Sequence, residues 1–174
     1  MPDIPPVIDL PAWIAENERF LKPPVNNKVA WAPMKDFIVM VVGGPNLRTD
    51  YHVDPYEEWF YMHRGSMRID VMADDGPRSI HIPEGGMWML PANLPHSPQR
   101  PDPDSIGLVI ERVRGEGVEE SFRWYCQNCA TQLHEAWIRL KNIEVDLPPV
   151  FEAFHADLTA RTCPACGTLH PGKG

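Results

Sequence analysis

The sequence has no run approaching the roughly 18 consecutive apolar residues that a membrane-spanning helix needs. The stretch Met1 to Leu10 holds prolines and acids, with no basic segment leading into an apolar one. No export signal is expected from it, and the reading is a cytoplasmic protein with no membrane partner. Positive charge is also short: 16 Lys and Arg stand against 24 Asp and Glu, a formal net charge of −8 with a pI near 5.3. That balance argues against nucleic acid or anionic membrane as partners, while a local basic pocket for a small anion stays possible. Cysteine is confined to four residues, Cys126, Cys129, Cys163 and Cys166. They form two Cys-x-x-Cys pairs, which in a reducing compartment point to a metal rather than to disulfides. What is abundant excludes more: 20 prolines in 174 residues rule out a helical bundle or coiled coil.

The remaining composition, 43% hydrophobic and 23% charged, is that of one ordinary globular unit. Asp9 to Phe20 is expected to be a short helix, capped by Asp9 with Pro11 in its first turn. Lys22 to Asn27 cannot be helical and should be a rigid loop. Between Asp36 and Arg114 the signals are β. Phe37–Val42, Glu58–Arg64, Ser66–Met72, Ser79–Ile82, Met87–Leu90 and Ile106–Val113 are short apolar or alternating runs separated by Gly/Pro turns. Such a series predicts a sandwich or small barrel. Beyond Arg114 the composition shifts. Gly115 to Glu120 reads as an acidic linker, and Asp146 to Ala156 as a second short helix capped by Asp146 with Pro148 and Pro149 in its first turn. The organisation expected is 1–35 packed on the barrel, 36–114 as the barrel core, and 115–174 as a small C-terminal appendage.

Three residues stand out by their places around the strands. His52 precedes a predicted strand, Glu58 opens it, and His96 follows another far along the chain. Two histidines and one carboxylate on the walls of a small barrel can hold one face of a metal and leave the opposite positions open. Taken singly, each such residue is more often a surface or hydrogen-bonded one. The other histidines, His63, His81, His134, His155 and His170, have no partner at metal spacing. Met62, Met67, Met72, Met87 and Met89 fall on strands and are expected to pack the barrel.

The intervals from His52 and Glu58 to Gly65, and from Gly85 through Pro91 to His96, resemble the two signatures of the cupin barrel. Asp54 falls where many cupins carry a second histidine, and Asn93 where a glycine is usual. The string Gly43-Gly44-Pro45-Asn46-Leu47-Arg48-Thr49-Asp50-Tyr51-His52 narrows the match. With Glu57-Glu58, His96-Ser97-Pro98-Gln99-Arg100 and Val109-Ile110-Glu111-Arg112, it closely resembles the 3-hydroxyanthranilate 3,4-dioxygenase family in its bacterial, single-cupin form.

The resemblance implies that His52, Glu58 and His96 ligate Fe(II), and that the substrate 3-hydroxyanthranilate chelates the iron beside O2. The ring then opens between carbons 3 and 4 to 2-amino-3-carboxymuconate semialdehyde, which cyclises to quinolinate, a precursor of NAD. It places Arg100 on the substrate carboxylate, Glu111 on the amine side, and Arg48 near the O2 position. For Arg48 the alternative is a loop arginine paired with Asp50 or Asp54; for Arg100 it is a surface salt bridge. Asn27 and Val25, on the proline loop, are expected to lie over the substrate as a lid. A homodimer is the family expectation.

The cysteine pairs are expected to bind Fe or Zn tetrahedrally; Cys163-Pro164-Ala165-Cys166-Gly167 resembles rubredoxin. Four thiolates close the shell, which argues for structure rather than catalysis. Two rivals remain: another cupin enzyme, which would not need Arg48, Arg100 and Glu111 together, and a non-enzymatic ligand-binding cupin carrying a zinc ribbon.

Overall fold

The computed structural model describes residues 4–31, 34–141 and 143–173, without the side chains of 143 and 144. Part of the Met1–Leu10 stretch therefore lies outside the described residues.

Helix α1 (Leu10–Asn17) starts where Asp9 caps it: the carboxylate accepts from the Ala12 N–H at 3.0 Å, and Pro11 sits in the first turn. A 3-10 turn over Glu18–Phe20 ends it. Ile14 and Leu21 pack against Val41 and Ile106, so the helix covers the outside of the barrel at that point.

Eleven strands follow among the described residues: β1 (Asn27–Val29), β2 (Phe37–Gly43), β3 (Asp50–Val53), β4 (Glu58–Arg64), β5 (Met67–Ala73), β6 (Gly76–Ile82), β7 (Met87–Leu90), β8 (His96–Gln99), β9 (Ile106–Arg112), β10 (Glu120–Tyr125) and β11 (Gln132–Ile138). They form two antiparallel sheets, ordered β1-β2-β9-β4-β7 and β11-β10-β3-β8-β5-β6. Inward residues of both sheets make one core: Met40, Phe60, Met62, Leu90 and Val109 from the first, Met67, Ile69, Val71 and Ile82 from the second. Removing each such side chain from water contributes roughly 1.5–3 kcal/mol. The all-β expectation is met, with helices α2 (Ile143–Ala156) and α3 (Leu158–Arg161) following the strands.

Four expectations change. The stretch taken as linker and appendage supplies β10 and β11, and β10 pairs directly with β3 in the second sheet. Glu120, expected in a solvated linker, is 1% exposed. Helix α2 begins before Asp146, which accepts from the Lys141 N–H at 2.8 Å instead of capping the helix, so Pro148 and Pro149 lie in the helix interior. Met62 and Met67 are core residues, but Met87 and Met89 are 70% and 52% exposed on edge strand β7. Their alternation marks a face left exposed among the described residues.

Gly43 and Gly44 permit a close approach of segments. A Cβ on Gly43 would lie 2.0 Å from the Leu21 carbonyl oxygen, and one on Gly44 2.0 Å from that of Asp102. Asn93 takes a φ of 62°, a conformation asparagine tolerates better than most residues.

Candidate metal centre and substrate cavity

The strand register assembles the three metal candidates. His52 in β3 pairs directly with His96 in β8, so both imidazoles leave the sheet on the same side, their centroids 5.2 Å apart. Glu58 opens β4 in the facing sheet, and Phe60 and Met62 continue its inward face. Glu58 Oε1 lies 3.1 Å from His96 Nε2 and 3.5 Å from His52 Nδ1. All three residues are buried, and their ligand atoms fall within 4.8 Å of one another. Glu58 Oε1 makes no hydrogen bond, so a buried carboxylate oxygen is left without a partner amid two imidazole nitrogens. A cation satisfies such a convergence of donor atoms. Burial would raise the Glu58 pKa, but the neighbouring His96 and His52 outweigh it and hold the carboxyl far below its usual range.

The imidazoles are oriented from behind. His96 Nδ1 is 3.0 Å from the Leu94 carbonyl oxygen. His52 Nε2 is 2.5 Å from Glu120 Oε2, and its ring stacks on Phe122 at 4.9 Å between centroids. A partner on the far nitrogen fixes the tautomer and turns the near nitrogen toward the metal position.

A cavity of about 170 Å³ opens in front of these donors. Met40, Val42, Phe60, Pro98 and Val109 give it apolar walls, and Arg48, Arg100, Glu111 and Asn27 also line it. Arg100 is 1% exposed and, among the described residues, has no carboxylate partner; its Nε and one terminal nitrogen make no hydrogen bond there. The other terminal nitrogen meets only Met67 Sδ, at 3.3 Å. Desolvation alone pulls its pKa down to about 10, so the group stays cationic at neutral pH, buried and unmatched. The surface salt bridge weighed for Arg100 is excluded by this burial.

Arg48 pairs with Asp50, as the loop-arginine alternative expected, and it also lines the cavity. Gln99 fixes its backbone, accepting from the Arg48 N–H at 3.1 Å and donating to the Arg48 carbonyl at 2.9 Å. Glu111 lies inward on β9, two residues beyond Val109. Burial, and then the charge of Glu58, raise its pKa against the pull of Arg114. Asn27 begins β1 and lines the cavity, but Val25 is 47% exposed and is not a lining residue. Leu140 and Leu147 wall the cavity from the C-terminal part of the chain, and Phe151 of α2 meets Phe122 edge-on at 5.3 Å.

Spacing missed Arg114 and Glu120, and it offered Arg48 rather than Arg114 as the partner of Asp54. Around the cavity stand five carboxylates (Asp50, Asp54, Glu58, Glu111 and Glu120) and three guanidinium groups (Arg48, Arg100 and Arg114).

The cysteines form a second cluster, with Sγ–Sγ separations of 3.5 Å for Cys126–Cys166, Cys129–Cys163 and Cys129–Cys166. The two turns repeat each other. The N–H of Ala130 and Gly167 each donates to the carbonyl of the first cysteine of its pair at 2.9 Å, and both residues have positive φ. Thr131 and Thr168 hydroxyls lie 3.2 and 3.3 Å from the second sulfur of each pair. Hydrogen bonds from the Thr168 side chain and backbone bring the Cys166 thiol down to about 5, favouring the thiolate a metal needs.

The profile of the 3-hydroxyanthranilic acid dioxygenase family matches residues 2–155. The chain belongs to that family. It is 50% identical over 161 residues to the 3-hydroxyanthranilate 3,4-dioxygenase of Shewanella woodyi, covering 92% of this chain and 85% of the relative. With the enzyme of the same name from Xanthomonas oryzae pv. oryzae the identity is 51% over 168 residues, covering 97% and 93%. Among solved structures, a cupin-2 domain containing protein from Shewanella frigidimarina is similar at 19% identity with a TM-score of 0.48, over 62% of this chain and 95% of that one. Among the described residues no helix is long and apolar enough to cross a membrane.

Proposed function

We propose that the chain is a non-haem Fe(II) dioxygenase that opens the ring of 3-hydroxyanthranilate with O2, both oxygen atoms entering the product. That product, 2-amino-3-carboxymuconate semialdehyde, closes to quinolinate without the enzyme. Family membership gives the reaction class; the observation that carries the substrate is Arg100, a buried cation with open donors, facing the same cavity as the metal donors. An aromatic acid supplies the missing anion and a flat apolar body for the walls.

His52, Glu58 and His96 would hold Fe(II), which supplies a redox-active centre and acidifies a substrate hydroxyl when bound. Arg100 forks onto the carboxylate and fixes the ring in the plane of the cavity. Glu111, whose carboxyl is raised by burial, accepts a hydrogen from the amine side. Arg48 sets a fixed positive charge where negative charge develops on oxygen. Asn27 at the mouth and the walls from Phe60, Val109 and Leu147 limit water. Cys126, Cys129, Cys163 and Cys166 would hold a second iron, or zinc, with no open position.

The same reading places the enzyme in the cytoplasm as a homodimer, serving NAD synthesis or tryptophan breakdown. The dimer is supported by the apolar edge strand β7, where Met87 and Met89 are exposed. The deciding experiment is O2 uptake by anaerobically Fe(II)-reconstituted protein given 3-hydroxyanthranilate, with absorbance followed for the semialdehyde and its decay. Stoichiometric uptake with product is expected. No uptake with iron bound at the barrel site would overturn the reading.

A further inference from the structure

Arg114 lies just beyond β9, its side chain 8% exposed, and meets three carboxylates from three segments of the chain. One terminal nitrogen reaches Glu111 Oε2 at 2.5 Å; the other reaches Asp54 Oδ2 at 2.6 Å and Glu120 Oε2 at 3.0 Å. Each carboxylate has a further task. Glu120 Oε2 is also the partner of His52 Nε2. Glu111 lines the cavity. Asp54 ties down the connection between His52 and Glu58: its Oδ1 accepts from the Tyr56 N–H at 2.8 Å, and its carbonyl from the Asn93 N–H at 2.7 Å. His52, Asp54 and Glu120 by themselves form a compact set of donor atoms within 4.8 Å. The guanidinium supplies the positive charge beside that set.

We propose that Arg114 is a positioning residue for the metal centre, holding His52 through Glu120 and the cavity carboxylate Glu111 directly, with Asp54 as its anchor. The inference rests on the metal-centre reading above. A planar fork suits this task because its two terminal nitrogens engage separate carboxylates at fixed angles, whereas an ammonium is a single point charge. Removing it leaves three buried carboxylates without their shared cation, and they separate or take up protons. Glu120 then no longer fixes the His52 ring, and a metal ligand whose orienting partner drifts binds less tightly. The position occupied by a second histidine in many cupins thus carries a different duty here: Asp54 holds the cation that orients His52 through Glu120.

The test uses full-length protein with its cysteine site loaded with Zn(II), titrated anaerobically with Co(II) at the barrel site, together with kcat and KM of the Fe(II) form. Arg114→Gln and Arg114→Lys are expected to weaken Co(II) binding roughly ten- to a hundredfold, alter the visible Co(II) spectrum and lower kcat more than they raise KM. Glu120→Gln, which keeps an acceptor for His52 but loosens the hold on Arg114, should fall between them and the wild type. Co(II) affinity and spectrum within twofold of wild type in both Arg114 variants, whatever their melting temperatures, would overturn the inference and leave Arg114 a fold-stabilising residue. If neither Arg114 variant folds, Glu120→Gln decides by the same readings: an altered spectrum with weaker binding supports the role, and wild-type values refute it. Wild-type protein that takes up no Co(II) beyond its loaded cysteine site would instead overturn the metal-centre reading, and this inference with it.

Discussion

The two metal-binding candidates of this chain are built on opposite plans. The barrel site draws nitrogen and oxygen donors from three strands, buries all of them, and sets beside them a cavity, a carboxylate oxygen without a hydrogen bond and a guanidinium unmatched among the described residues. The cysteine site draws four identical donors from two near-identical turns, with Cys129 and Cys166 exposed, and uses every one on a single point. A site made only to hold a metal satisfies its own groups. One made to hold a metal and two reactants keeps groups unsatisfied, and a rigid two-sheet barrel bears that cost. The buried strands β3, β4, β8 and β9 supply that rigidity, whereas the cysteine turns sit on a hairpin and the tail.

The sharpest way to break this contrast is to remove a donor from the barrel. His96→Ala should abolish metal at the barrel site and reduce turnover below detection, while the cysteine site keeps its metal in full. Metal analysis together with O2 uptake checks both. Normal turnover in this variant would mean that the chemistry lies elsewhere, and that the contrast has been drawn between the wrong sites.

Next in size is Arg100→Ala. A carboxylate deprived of a charge-assisted partner loses about 1.5–3 kcal/mol of binding, or roughly ten- to a hundredfold. The expectation is a KM raised by that factor with iron content unchanged. An unaltered KM would show that the unmatched charge at Arg100 is not aimed at substrate.

The third test sharpens the contrast by pH. In the metal-free protein burial works against a proton on His52, but the hydrogen bond to Glu120 and the nearby charges of Glu58 and Glu120 prevail, pushing its pKa up to about 9 from 6.5. A raised folded pKa stabilises the metal-free fold fully below about pH 6.5, and that contribution fades as pH rises through about 9. Metal binding has the opposite slope, because a cation must displace the His52 proton. Barrel-site affinity for Co(II), measured with zinc in the cysteines, should therefore rise about tenfold per pH unit between pH 7 and 9. A flat profile would show that His52 carries no proton to displace.

Much of this was legible in the sequence because it is local. The alternation of Met67, Ile69 and Val71 marks a strand with one buried face, Asp9 and Pro11 mark a helix start, and two Cys-x-x-Cys turns mark their own geometry. His52, Glu58 and His96 were found through motif intervals, since their neighbours on the chain are motif residues as well. Arg114 and Glu120 were not legible, nor was the pairing of Asp54 with Arg114. Glu120 stands in an acidic, glycine-containing stretch that reads as solvated, and its partner His52 is 68 positions away. Nothing in spacing says that β10 adds to β3, and the network exists only because it does. Met87 and Met89 failed for a related reason: alternation identifies a face, but only topology shows that β7 is an edge strand whose outer face stays exposed among the described residues. Val25 sits next to the right loop, yet its side chain points to solvent and only its carbonyl is used, by Asn27.

The smallest effect on activity is expected where the second site is broken. Cys166→Ser removes an exposed donor and should release the cysteine-bound metal and lower the melting temperature by several degrees. Turnover per barrel-bound iron should stay within about threefold of wild type. The reason lies in how the cavity wall is held. Helix α2 stands on β10 through Phe154, stacked on Trp124 at 4.4 Å between centroids, and through Phe151 against Phe122, contacts that do not pass through the sulfur atoms. The tail is tied separately, by Arg161 donating to the carbonyls of His155, His170 and Pro171. Metal counts at both sites, read beside kcat per barrel iron, make the test. A loss of turnover well beyond threefold, with barrel iron intact, would show that the closed site holds the open one in shape; the two plans would then be one.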